Sequence, residues 1–80
     1  MTKRIVYRVR WDRPSRLWFT WRDHRVVSTD ALKRVAVTVA RMTCRRVWAN
    51  GRLAQLVAHG QNGRIQWEAT YGRDPRRRKG

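Results

Sequence analysis

The sequence predicts a small single α+β domain of order ββαββ, a four-stranded and largely antiparallel sheet with one helix packed on one face. Three observations carry that expectation. Apolar and polar residues alternate over residues 3–22 and again over residues 54–71, the period of half-buried strands. Between these stretches apolar residues recur at helical spacing. The chain has 80 residues, one domain's worth and near the lower limit for a self-sufficient core.

The first strand spans residues 3–11, with Ile5, Tyr7, Val9 and Trp11 on one side and Arg4, Val6, Arg8 and Arg10 on the other. Asp12, Pro14 and Ser15 supply turn chemistry. In the second strand Leu17, Phe19 and Trp21 share the core side, opposite Trp18, Thr20 and Arg22. Residues 24–27 continue as an edge or connector. Ser28, Thr29 and Asp30 then offer side-chain oxygens to a helix start.

The helix is expected from Ala31 to about Trp48, with Leu32, Val35, Ala36, Val39, Met42 and Val47 as its apolar stripe. Arg34, Thr38, Arg41 and Arg45, with Lys33 nearby, form a basic stripe on the solvent side. Asn50 and Gly51 end it, because Gly takes the left-handed backbone that closes the last turn. In the second hairpin, an Asn62-Gly63 turn pairs Gly60 with Ile65, Ala58 with Trp67, Leu56 with Ala69 and Ala54 with Tyr71. That register puts these residues on one face. The domain therefore covers residues 1–72, and residues 73–80 hold Arg73, Arg76, Arg77, Arg78 and Lys79 with no hydrophobe to bury, as in a flexible basic arm.

Twenty Lys and Arg against five Asp and Glu leave a formal charge of +15. A polyanionic partner relieves that self-repulsion. Lys occurs only at positions 3, 33 and 79, so the chain favours the planar guanidinium that grips phosphate bidentately and stacks on rings. A GC-rich source genome is the competing cause of an Arg-rich composition. Five Trp and 41% apolar residues are too many for a disordered basic tail. Cys44 is alone, so no intramolecular disulfide forms, and no stretch is apolar enough to span a bilayer. A cytoplasmic location follows as the expectation.

The C-terminal stretch HGQNGRIQWEATYGRDPRRRKG resembles the signature of short bacterial and phage proteins grouped as domain of unknown function 2188. The resemblance rests on His59-Gly60, Asn62-Gly63-Arg64-Ile65, Thr70-Tyr71-Gly72, Asp74-Pro75 and Lys79-Gly80. It covers about two-thirds of the chain and departs from the pattern at Arg76, Arg77 and Arg78. It implies a ββαββ fold and an intracellular or phage origin, and supplies neither a catalytic residue nor a ligand.

Catalysis needs a nucleophile beside a base or paired carboxylates, yet Asp12, Asp23, Asp30, Glu68 and Asp74 fall in turns, a cap, a strand and the tail. His24, Cys44 and His59 lie on three elements without metal-site spacing, so neither a metal nor another cofactor is expected. Basic residues fall instead into three surfaces. The first is an open sheet face where Arg4, Arg8, Arg10 and Arg22 surround an exposed Trp18. The second is the helix stripe of Arg34, Arg41 and Arg45. The third is the arm of Arg73, Arg76, Arg77, Arg78 and Lys79. The expected function is non-enzymatic binding of nucleic acid, DNA ahead of RNA, with little sequence preference. The alternative is a regulator that docks on an acidic host protein through its Trp-rich hairpin. Free sheet edges make a homodimer compatible with either.

Overall fold

The structure, a computed structural model, describes residues 4–72. The chain runs β1 (Ile5–Asp12), β2 (Leu17–Arg22), β3 (Arg25–Asp30), α1 (Lys33–Ala49), β4 (Ala54–His59) and β5 (Ile65–Tyr71). The small α+β architecture with one helix on one sheet is as expected. The sheet, however, has five strands in the order β3-β2-β1-β4-β5, and it is mixed. β1 pairs with β4 in parallel, while the other neighbours are antiparallel. The extra strand explains the mixture. β3 turns back from β2 and so runs parallel to β1; α1 then carries the chain over the sheet and delivers β4 in that same direction.

The segment read as an edge or connector is the edge strand β3, and it runs on through Ser28, Thr29 and Asp30, the residues expected to start the helix. Asp30 lies opposite Trp18 and Ser28 opposite Thr20. The residue before the helix is Leu32, in extended conformation and with no side-chain cap. β-branched Val26, Val27 and Thr29 favour pairing with β2 over capping. At the other end the expectation holds. Gly51 has φ +87°, its N–H donates to Trp48 O at 2.8 Å, and Arg52 N–H donates to Val47 O at 3.1 Å. This pair of bonds closes the helix and directs Arg52 toward β4.

Both hairpins are set by their turns. In the first, the Asp12 carboxylate accepts from Ser15 N–H at 3.1 Å and Ser15 Oγ–H at 2.6 Å, and Arg16 takes φ +58°. Asp12 then pairs with Leu17 and Trp11 with Trp18. In the second, the pairs Ala58 with Trp67, Leu56 with Ala69 and Ala54 with Tyr71 are those expected. Near the turn a bulge places Ile65 opposite His59 instead of Gly60. Gly60 N–H reaches Arg64 O at 2.8 Å, and Gly63 has φ +87°, which makes the loop three residues long.

The core lies between the sheet and α1. Ile5, Tyr7, Val9, Trp18, Ala54 and Leu56 from the strands meet Ala36, Ala40 and Cys44 from the helix. Two expectations fail here. Trp18 is buried, 6% exposed, and its ring tilts against Trp11 with centroids 5.1 Å apart. The helix face that meets the sheet is centred on the small residues Ala36, Ala40 and Cys44 with Val37 and Val47 packed beside them, so of the expected stripe only Ala36 and Val47 turn to the core. Leu32, Val35, Val39 and Met42 remain exposed. The physical reason is bulk: the sheet face under α1 already carries Tyr7, Trp11, Trp18, Trp67 and Tyr71, so the closest approach of the helix falls at Ala36, Ala40 and Cys44, with Val37 and Val47 at its flanks.

Candidate functional site

The strand registers define what stands on the face away from the helix. Arg8 lies opposite Trp21, and Arg10 opposite Phe19. On the far side of β1, Arg8 lies beside Val57, which is opposite Glu68. On the far side of β2, Val26 lies opposite Trp21 and Thr29 opposite Phe19. Arginines on β1 therefore stand directly opposite aromatic residues on β2. The rings of Phe19 and Trp21 are 6.5 Å apart and tilted by 43°. A shallow recess of about 220 Å³ opens beside them, lined by Arg10, Trp11, Asp12, Phe19 and Trp21.

Arg8 is held in place. His59 Nδ1 lies 2.9 Å from Gly63 O, a carbonyl that can only accept, so Nδ1 donates to it. Nε2 is left to accept from Arg8 Nη1 at 3.3 Å. His59 itself is buried, 6% exposed, which fixes the anchor for a half-exposed arginine. Arg10 is exposed. The carboxylates on this face are engaged: Asp12 in its turn, and Glu68 as acceptor from Gln55 Nε2.

The expected basic surfaces are only partly brought together. Arg8 and Arg10 share the open face, but the rings beside them are Trp21 and Phe19, in place of buried Trp18. The register that pairs Trp11 with Trp18 turns Trp21 and Phe19 outward, so the strand's more apolar side is the open one. Arg4 and Arg22 meet at the end of the sheet, in a cleft of about 480 Å³ shared with Ile5, Asp23, His24 and Arg52. Arg34 and Arg45 are exposed on α1, on the opposite layer from the open face. Arg41 lies over the Trp67 ring at 5.1 Å, as Lys33 lies over Trp18 at 5.1 Å. Arg73, Arg76, Arg77, Arg78 and Lys79 fall outside the described residues. Sequence reasoning missed Phe19, Trp21 and Arg52.

Among the described residues no three His, Cys, Asp or Glu side chains gather as a metal would require, and no helix is long and apolar enough to cross a membrane. Cys44 is fully buried, and burial pushes its thiol up to about 11. Tyr7 moves in the same direction, chiefly by burial, with the Arg22 guanidinium opposing. Both groups hold their protons more tightly folded than unfolded. Stability is therefore fully present below the ordinary thiol value of 9.0 and falls as pH rises toward 11. The Cys44 share of that loss is about 3 kcal/mol at most, since each tenfold change in proton affinity is worth about 1.4 kcal/mol. Urea midpoints measured across this window should fall less in Cys44→Ala than in the parent chain.

Comparison with protein-family models, with curated proteins and with solved structures finds no match to this chain.

Proposed function

We propose that the protein is a non-enzymatic binding module for single-stranded nucleic acid, DNA ahead of RNA, and that the strand lies across the open face of β1 and β2. The observation that carries this reading is the pairing of Arg8 with Trp21 and Arg10 with Phe19 on one exposed surface. Aromatic rings accept stacked bases of any sequence, while guanidinium groups beside them neutralise the phosphates between those bases. The formal charge of +15 supports it by drawing a polyanion from a distance.

Salt dependence tests it. If about six phosphates are neutralised, affinity for an oligothymidylate should fall roughly a hundredfold or more between about 50 and 200 mM salt. Binding that is absent at low salt, or indifferent to salt, contradicts the reading.

A second reading has its own observation. Leu32, Val35, Val39 and Met42 form an exposed apolar stripe on α1, and Arg46 emerges within it. Such a surface suits an acidic protein that also offers apolar contacts. Recovery of one stoichiometric protein partner from nuclease-treated lysate would favour it.

A further inference from the structure

The cleft at the end of the sheet is a separate feature from the open face, and three elements build it. Arg4 precedes β1. Arg52 precedes β4, placed there by the helix-closing bonds at Gly51, and Ile5 N–H donates to Leu53 O at 2.9 Å, which brings these two strand starts side by side. The β2–β3 turn arrives at the same end because β2 runs antiparallel to β1: Asp23 N–H donates to Val6 O at 3.2 Å. Asp23 takes φ +54°, the left-handed region that Asp enters more readily than most side chains, and His24 follows it in the turn. Arg22, Asp23 and His24 thus face Arg4 and Arg52 across a cleft of about 480 Å³.

The charges do not cancel. Three guanidinium groups stand against one carboxylate, leaving two positive charges even with His24 neutral. Ile5 forms an apolar wall. Guanidinium forks match the oxygens of phosphate in pairs. A phosphate monoester carries close to two negative charges near neutral pH, whereas the diester of a nucleic-acid backbone carries one.

We infer that this cleft is a phosphate-monoester site, in which Arg4, Arg22 and Arg52 grip the dianion and His24 bounds the group attached to it. The cleft is larger than one phosphate needs, so the ligand carries a further moiety, either a small phosphorylated molecule or the phosphorylated end of a nucleic-acid strand. The monoester site itself stands without the open-face reading. Only the strand-end source rests on it.

The test uses the full chain and amide-resolved NMR, with uridine 5′-monophosphate as ligand, and uridine and Arg13→Gln as controls; Arg13 is exposed in the β1–β2 turn, outside the cleft. Uridine 5′-monophosphate should give saturable shifts at Arg22, Asp23, His24 and Arg52, and uridine none. Arg52→Gln should weaken the interaction about tenfold, the loss of one charge-assisted bidentate contact. Arg13→Gln should leave it unchanged. The absence of saturable shifts in the cleft at millimolar ligand overturns the site, as does equal weakening by Arg13→Gln. A second arm compares oligothymidylates with a 5′-phosphate and a 5′-hydroxyl. A preference for the phosphorylated strand that disappears in Arg52→Gln assigns the site to strand ends. Mononucleotide binding without that preference assigns it to a small molecule. If neither oligonucleotide binds while the mononucleotide does, the open-face reading fails and the cleft stands.

Discussion

Truncating Phe19 and Trp21 together to Ala should lower affinity for single-stranded DNA by at least about thirtyfold, since stacking contributes roughly 1–3 kcal/mol per base on each ring. The loss should be the same at every salt concentration, because the rings neutralise no phosphate and release no counterion. An electrostatic cause would behave differently and flatten the salt slope. The fold should largely survive. Both rings are half-exposed on the face away from the helix, so their removal opens no cavity in the core. Trp18→Ala makes the contrast: that ring is 6% exposed and lies against Trp11 beneath the helix, so its truncation should cost about 3–5 kcal/mol. Urea melts of both variants beside the binding isotherms separate the two roles.

Leu56→Ala should remove about 2–5 kcal/mol of stability, at least roughly a sixth of what a domain of this size commonly has. Leu56 is fully buried in β4, between Tyr7 of β1 and Ala69 of β5, and it faces the helix. Its helix neighbours are Ala36, Ala40 and Cys44, which cannot extend into the space a missing isobutyl group would leave. The cavity therefore persists. Leu32→Ala is the matched control. Leu32 is 52% exposed, and its truncation should stay within about 0.5 kcal/mol of the parent.

The two hairpins show why one face was legible in the sequence and the other was not. For β4 and β5, the turn residues and the apolar period point to the same pairs, and all but the pair nearest the turn occur. For β1 and β2, apolarity alone assigned Leu17, Phe19 and Trp21 to the core. The turn contradicts it: Asp12 closing on Leu17 makes Trp11 the partner of Trp18, and Val9 that of Thr20. Counting register outward from the Asp12–Ser15 turn would have turned Trp21 and Phe19 outward without any structure. The helix was misjudged for a related reason. Leu, Val and Met stand out in the stripe, but a sheet face crowded with aromatic rings selects Ala36, Ala40 and Cys44 as the contact. β3 was legible only as an edge or connector over residues 24–27, because Ser28, Thr29 and Asp30 fit a helix cap as readily as a strand end. Arg52 had no local signal at all. Its place beside Arg4 depends on the parallel pairing of β1 with β4, a long-range fact that only the fifth strand explains.

The most direct test of the open-face assignment is a salt titration of oligothymidylate binding by three proteins: the parent chain, Arg8→Gln/Arg10→Gln and Arg34→Gln/Arg45→Gln. Each double variant removes two positive charges, one pair from the sheet and one from the helix on the opposite layer, so the general pull of net charge is matched. The sheet variant should lower the slope of log affinity against log salt by about 1.4, the contribution of two phosphates on a single strand, and the helix variant should leave it unchanged. A slope that falls in the helix variant and holds in the sheet variant would place the strand on α1 and contradict the assignment.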